Sequence, residues 1–500
     1  MSLAIIHSRA HLGLDAPEVT IEVHLAAGLP AFQLVGLAET TVRESRDRVR
    51  SALQNAGFQF PDRKITVNLA PADLPKEGGR FDLPIALGIL VASGQLPAAA
   101  CVGFEFYGEL ALSAEIRAIT GEIPLALACH RAGRIAVLPL ANACQAQWLP
   151  DVQLLGAAHL LQVHAHLMKQ QPLPALPPLH QGSSMQFGCF SEVKGQAQSK
   201  RALEIAAAGQ HNVLLFGPPG TGKSMLAQRF ASILPPMPLE DALQVAALYS
   251  IAGLPRPQAQ WQQRPFRQPH HTSSAVALVG GGSQPRPGEI SLSHHGVLFL
   301  DELPEFERKV LDALREPLET GSVHISRAAR HACFPAGFQL IAALNPSPGG
   351  DYRDGRCSQA QILRYLNRLS GPLLDRIELQ VEVHLLAEGT LSQTSAAEPS
   401  SAVAHRVAQA RHCQLTRQGK ANALLSPQEL QQVAPLTPQD AAFLEQTVQK
   451  LQLSARSFHK LWKVARSIAD LQQAKDIEQS HLLEAISYRS FDRLLHYLKQ

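Results

Sequence analysis

Residues 212–224 read NVLLFGPPGTGKS. VLLF is apolar enough for a buried strand, and the last eight residues fit G-x-x-x-x-G-K-[ST]. A helical pattern, MLAQRFASIL, follows directly. In such a strand–loop–helix the glycines Gly217, Gly220 and Gly222 let backbone N–H groups wrap a phosphate chain, with Pro218, Pro219 and Thr221 completing the loop. The helix N-terminus adds its positive dipole end. Lys223 is expected to reach the β- and γ-phosphates, and the Ser224 hydroxyl to bind Mg²⁺. The stretch predicts an ATP and Mg²⁺ site in an α/β fold.

Two downstream strands agree. GVLFLDE, 296–302, is an apolar run ending in two carboxylates. Asp301 is placed to hold Mg²⁺ and Glu302 to polarise an attacking water. IAALNP, 341–346, ends in Asn345, which would stand between Glu302 and the γ-phosphate. The plainer reading of Asn345 is a strand-end residue capping a turn. Apolar strands alternate with helices from about 185 to 386, the pattern of a parallel sheet.

P-loop, acidic strand, then a strand ending in Asn is the order seen in AAA+ ATPases. Resemblance to these ring enzymes implies an arginine supplied by a neighbouring subunit. SGPLLDRIEL, 370–379, offers Arg376, and SARSF, 454–458, offers Arg456 as a nucleotide-sensing arginine of a helical lid. VKGQAQSKRALEIAAAG, 193–209, resembles the AAA+ lead-in segment, with Gly195 and Gln196 near the adenine. For both arginines the bland alternative is a surface ion pair.

Composition shifts divide the chain. A Pro-rich stretch, QQPLPALPPLHQGSS (170–184), and a small polar one, AEGTLSQTSAAEPSS (387–401), read as linkers. They separate an α+β piece (1–170) from the α/β core (185–386) and a helical piece (402–500), with linkers at 171–184 and 387–401. VTIEVHL and KITVNLAP alternate like strands, and ETTVRESRDRVRSALQNAG has helical periodicity. RSFHKLWKVARSIADL and SHLLEAISYRSFDRLLHYL are helical. The 500 residues carry a net charge of only +3, so any contact with nucleic acid requires local positive charge. Seven scattered cysteines with no CxxC argue for a reducing compartment, the cytoplasm. Neither a signal peptide nor a run of the roughly 18 apolar residues needed to cross a membrane is recognised.

Over nearly its whole length the chain resembles the Mg-chelatase-like AAA+ ATPases of the YifB/ComM family. The shared text includes GPPGTGKSMLAQR, PFRQPHHTSSAVALVGGG, PRPGEISLSHHGVLFLDELPEF, LDALREPLETG, SGPLLDRIEL and GLPAFQLVGLAETTVRESRDRVRSALQNAGF. The resemblance implies a cytoplasmic homo-hexamer that drives branch migration during natural transformation. Its partners would be single-stranded and branched DNA, and recombination proteins. The loop NPSPGGDYRDGRCS departs from relatives that carry several cysteines there. With Cys357 alone it cannot build a structural zinc site. The first piece resembles the proteolytic domain of Lon, but LPKEGGRFDLPIAL holds no Ser and GELALSAEIRAITGEIPLALA no Lys. A non-proteolytic platform is therefore expected, and an ATP-dependent protease is disfavoured.

PFRQPHHTSSAVALVGGG, 265–282, remains. As a metal site it is poor, because adjacent histidines (270–271, 294–295) in an extended chain point to opposite sides. A catalytic role is not needed, since the ATPase parts lie elsewhere. A loop directed at the ring channel is expected instead, with Arg264, Arg267, His270 and His271 meeting phosphates. VHISRAARHACF, 323–334, reads as a hairpin offering Arg327, Arg330 and His331 to the same DNA. The structural alternative for both is packing between subunits. The competing function is a chelatase-like ATPase that remodels a protein complex.

Overall fold

The computed structural model describes residues 3–36, 44–178, 187–254, 256–282, 285–327, 330–386 and 397–499. The start of the helical pattern at 37–43 and the linker segments 179–184 and 387–396 lie outside them. The chain forms two compact units. One comprises Met1–Ser184 with Leu239–Trp261, the other Met185–Pro238 with Gln262–Gln500.

In the first unit β1 (Leu3–Arg9), β2 (Glu18–Ala26), β3 (Ala31–Val35) and β4 (Lys64–Ala70) form a sheet in the order β1-β2-β4-β3. Only β3 and β4 are parallel. The alternation in VTIEVHL buries Val19, Ile21, Val23 and Leu25 on one face. Against that face lies the helix Asp82–Ala92, all eleven of whose residues are buried, as expected of a helix apolar all round. A Cβ at Gly88 would lie 2.5 Å from Val23 Cγ2, so the glycine sets how closely helix and sheet approach. The serine-free stretch before this helix is structural at Lys76, which is buried and donates to the Pro71 carbonyl.

A parallel sheet of β5 (Phe104–Phe106), β8 (Ile135–Pro139) and β9 (Leu154–Ala157) follows, with the hairpin β6 (Glu109–Leu110) and β7 (Ile116–Arg117) between its first two strands. The unit is completed from a distant part of the sequence. Helix Leu239–Ala252 lies on helix Glu122–Arg131, and the Ser250 hydroxyl and carbonyl accept from Ile123 N–H and Gly121 N–H at 3.3 and 3.1 Å. Ala246 and Ala247 share a buried cluster with Ile123, Leu125 and Ala126, and Trp261 meets Trp148 at 5.2 Å between rings.

The second unit is built on β10 (Val213–Phe216), β11 (Phe266–Arg267), β14 (Val297–Leu300), β17 (Gln339–Leu344) and β18 (Leu379–Glu382). All neighbours are parallel, in the order β11-β14-β17-β10-β18. Two small ribbons project from it, β12 (Gly280–Gly281) with β13 (Arg286–Pro287), and β15 (Ser322–Arg327) with β16 (Arg330–Pro335). The C-terminal residues are helical, from Ser400–Gln418 to Ser490–Tyr497. Their apolar faces share one core with the sheet: Val403, Val407, Leu461, Trp462 and Ile468 cluster with Val213, Leu215, Ile341 and Val381. The mixed α/β class with a helical C-terminal region is as the sequence predicts. Among the described residues no helix is long and apolar enough to cross a membrane.

Asp470 anchors these helices. Its carboxylate accepts a two-pronged pair from Arg417 at 2.7 and 3.0 Å, and bonds from Arg466 at 3.0 Å and Asn422 at 2.8 Å. The Asp470 and Arg466 side chains are each 2% exposed. Asp470→Ala strands the buried Arg466 and frees the part-exposed Arg417; it is expected to cost about 3 kcal/mol, read as an earlier chemical-denaturation transition of the second unit.

Candidate functional site

The parallel sheet brings β10, β14 and β17 to a common carboxyl edge, where α/β folds hold ligands. β10 runs into Gly217, whose φ is 158° and whose Cβ, if present, would lie 2.2 Å from the Val383 carbonyl oxygen. Only glycine lets the loop leave the strand this close to β18. Gly220 and Gly222 are left-handed at 77° and 92°, which turns the following N–H groups into the loop. Thr221 Oγ1 donates to the Pro218 carbonyl at 3.0 Å and holds the bend. The helix Lys223–Phe230 starts at once, so its free N–H groups face the same hollow.

Lys223 is the pivot. Its ammonium donates to the Gly217 and Pro218 carbonyls at 2.8 Å each, and to Asn345 Oδ1 at 3.0 Å. Burial lowers its pKa to about 8, against the opposing pull of Asp301. Ser224 Oγ donates to Asp301 Oδ2 at 2.6 Å. A hydroxyl and a carboxylate therefore meet at one point, the protein donor set that Mg²⁺ shares with phosphate oxygens and water. The loop, the lysine and these two oxygens fit a nucleoside triphosphate with Mg²⁺. Gln196, itself left-handed at φ 54°, donates to the Thr221 and His384 carbonyls at 3.3 and 2.7 Å. Gly195 (φ 62°) precedes it, so the lead-in segment abuts the loop.

Glu302 has its N–H on Asp301 Oδ1 at 3.0 Å and a left-handed φ of 53°. Its side chain, 53% exposed, lies against His271, with Nδ1 3.2 Å from Oε2. The sequence gives that loop no part in hydrolysis. The register explains the contact. Phe266 and Arg267 of β11 pair with Val297 and Leu298 of β14. Both chains continue in the same direction, and four residues later they reach His271 and Glu302. Asn345, expected between Glu302 and the phosphate, is bonded to Lys223.

The adjacent histidines do not point apart. The ring centroids of His270 and His271 are 4.1 Å apart, and those of His294 and His295 3.8 Å. Neither pair is in an extended strand, and His295 has φ 54°, so the alternation rule does not apply. His294 is structural: buried, held to a pKa of about 3 by desolvation, and accepting from Gly337 N–H at 2.9 Å.

The candidate cations fall into three groups. Arg264 donates to the Pro235 and His295 carbonyls at 2.8 and 2.6 Å, and Arg267 makes a two-pronged pair with Glu289 at 2.6 Å. Arg376 pairs with Glu319 and donates to the Pro372 carbonyl at 2.6 Å. Its pKa is lowered first by burial and then by Arg456 and Arg315, so the three arginines form one cluster. Arg327 and Arg330 are the last pair at the closed end of the β15–β16 hairpin, and His331 is opposite Ser326. The side chains of these three lie outside the described residues. Glu319 was not among the residues singled out from sequence, and His271 was singled out for phosphate contact and not for Glu302.

Comparison with known proteins agrees with this geometry. The family model for magnesium chelatase, subunit ChlI, matches residues 189–391. The model for subunit ChlI of Mg-chelatase matches 21–142, and that for the ChlI C-terminal region 397–489. The Salmonella typhimurium protein YifB is 52% identical over 503 residues, covering 100% of this chain and 99% of its own. Competence protein ComM of Haemophilus influenzae is 52% identical over 506 residues, with the same coverage. The magnesium-chelatase 38 kDa subunit of Cereibacter sphaeroides is 28% identical over 211 residues, 39% of this chain and 58% of that protein.

The lowered pKa of Lys223 has a measurable consequence. Phosphates favour the ammonium form, so binding above about pH 8 requires proton uptake. Nucleotide affinity is expected to hold constant below that pH and to weaken roughly tenfold from pH 7 to pH 9. Calorimetry in two buffers of different ionisation enthalpy at pH 9 should show the proton. A flat affinity profile would leave Lys223 with an ordinary pKa.

Proposed function

The chain belongs to the Mg-chelatase-like YifB/ComM family of AAA+ ATPases, and we propose that it is an ATP-driven hexameric motor. In this reading it moves branched DNA in the cytoplasm while incoming DNA is integrated during natural transformation. Residues 185–386 are the motor core, apart from 239–261, which complete the first unit; 402–500 are the lid and 1–170 a non-proteolytic platform, joined by linkers at 171–184 and 387–401. The observation that carries the ATPase reading is the convergence of Lys223, Ser224, Asp301, Glu302 and Asn345 at one sheet edge. Support for DNA comes from the full-length likeness to a competence protein.

Each residue then has a task. The loop N–H groups and Lys223 hold the β- and γ-phosphates. Lys223 must exchange its bonds to Gly217 and Pro218 for phosphate oxygens, keeping Asn345 as its fixed partner. Ser224 and Asp301 would hold Mg²⁺, which would supply charge neutralisation on the phosphates. Glu302 orients the attacking water and takes its proton. Arg376, with Arg456 and Arg315 beside it, forms the cationic face offered to the next subunit. The hairpin end at Arg327–Arg330 and the exposed His270 are the parts offered to a strand. They read backbone rather than sequence.

One observation favours the second reading, a chelatase-like ATPase that remodels a protein complex. Arg264 and Arg267, expected to meet phosphates, are engaged with their own chain.

ATP hydrolysis by the full-length protein, measured with and without single-stranded and branched DNA, separates the two. The motor reading expects strong stimulation by DNA and a loss on the order of 10²–10⁴ in Glu302→Gln. ATPase activity indifferent to all DNA would favour the remodeller. Lys223→Ala and Arg376→Ala should each be inactive alone. Mixing them should restore part of the rate, because a Lys223→Ala subunit still supplies Arg376 to its neighbour. No recovery on mixing would place Arg376 outside a shared site.

A further inference from the structure

We infer that Arg80 and His11 of the first unit form a pocket for a small oxyanion that carries a proton, of the hydrogen-phosphate class. None of its residues has a part in the ATPase reading.

Arg80 lies in the serine-free stretch, on the short turn Gly79–Phe81 that leads into the helix Asp82–Ala92. Its carbonyl accepts from Gly108 N–H at 3.0 Å, which pins the backbone. The residue is 8% exposed. Among the described residues none accepts a hydrogen bond from its guanidinium, and Nη1 is buried without a partner. A guanidinium brings five N–H donors and a full charge, and leaving both uncompensated in the interior is costly. The fully buried carboxylates of the unit are committed elsewhere. Asp82 accepts from Arg48 at 2.7 and 3.1 Å and from Leu110 N–H at 3.2 Å. Glu105 accepts from Arg9 at 2.8 and 2.9 Å, from Arg134 at 2.9 Å and from the Tyr107 hydroxyl. Glu77 acts on Arg80 through its charge, with no hydrogen bond, and burial pushes its own carboxyl toward the neutral form. Burial lowers the Arg80 pKa to about 10, as befits a cation without a close partner.

His11 supplies the other half. Its ring lies against Gly121, where a Cβ would sit 1.7 Å from Nε2, so only glycine leaves it room. Nε2 is 3.0 Å from the Thr120 carbonyl oxygen. A carbonyl only accepts, so Nε2 carries the proton and Nδ1 of the neutral ring keeps a lone pair. Nδ1 is buried and has no partner among the described residues. Burial, and then the charge of Arg80, lower the His11 pKa to about 3 and keep the ring neutral. A cationic donor and a lone acceptor therefore act on one another with nothing between them to satisfy either. Hydrogen phosphate meets both demands: its charged oxygens accept from the guanidinium, and its remaining O–H donates to Nδ1. Sulfate has the charge and the shape but no proton to give at neutral pH. Water has the proton but no charge. Gly78, left-handed at φ 71°, leaves open space beside the turn, since a Cβ there would meet nothing within 4 Å.

The test is equilibrium dialysis of radiolabelled inorganic phosphate against the full-length protein at pH 7, with thermal melting in phosphate or sulfate at matched ionic strength. Every protein carries Lys223→Ala, so any phosphate left at the nucleotide loop is common to all and a difference between variants reports the first unit. The parent should bind one phosphate per chain that Arg80→Met, apolar and of similar length, does not. Phosphate at about thirtyfold excess over Kd should raise the melting temperature of the parent on the order of 5 °C more than that of Arg80→Met. His11→Gln keeps an amide nitrogen near the Nε2 position for Thr120 and removes Nδ1. It should weaken phosphate about tenfold, to the level of sulfate, while sulfate itself is unchanged. An Arg80→Met protein that folds and still binds this phosphate overturns the proposal. So does a parent that takes up phosphate and sulfate equally, or neither, because water alone would then serve Arg80. Should Arg80→Met fail to fold, His11→Gln decides: an unchanged preference for phosphate over sulfate overturns the site.

Discussion

The site depends on one constraint, the parallel register of five short strands. β10, β14 and β17 run the same way; β10 and β17 end level at Phe216 and Leu344, and β14 ends two residues short of them, at Leu300 opposite Ala342. Their next residues, Gly217, Asp301 and Asn345, therefore share a small volume although they are far apart in sequence. An antiparallel neighbour would have sent one of them to the opposite edge. The strands are buried on both faces, as parallel strands usually are. Burial also removes solvent from beneath the loop and lowers the Lys223 pKa, against the pull of Asp301.

Much of this was legible before any coordinates. VLLF, VLFL and the run ending in Asn345 are apolar, short and followed by glycine, carboxylates or Asn, so their class and chemistry could be read directly. The hairpin 323–334 was also legible. What stayed hidden were contacts set by register and tertiary pairing. Glu319 sits in an ordinary helical run, and nothing local marks it as the partner of Arg376. Arg267 looks like a free cation until the fold brings Glu289 to it. The His271–Glu302 contact was recoverable in principle, because a parallel edge strand at 266–267 places residue 271 level with residue 302. That strand is two residues long and carries no periodic signal. The histidine pairs were misjudged for a simpler reason: a rule for extended chains was applied to turns.

In the proposed motor, hydrolysis and recognition would be spaced by a few ångströms, since His271 lies 3.2 Å from Glu302. The HHTSS loop follows directly on β11, the neighbour of the acidic strand in the sheet. The arginine cluster of Arg315, Arg376 and Arg456 has a related economy. Three like charges held together raise one another's energy, and Glu319 offsets only part of it. A polyphosphate from outside would relieve the repulsion.

Residues 239–261 leave the second unit and return to it through a narrow neck, where Met237 N–H donates to the Gln262 carbonyl at 2.9 Å. The first unit is thus incomplete at the end of its own continuous sequence. The two units are stitched by three chain crossings instead of one. Such a platform cannot be transplanted, deleted or exchanged as a block by cutting at the Pro-rich linker. Doing so would strip helix 239–252 of the surface that buries its alanines and leave helix 122–131 bare. Its modularity ends where that stitch begins, and the two units must be inherited together.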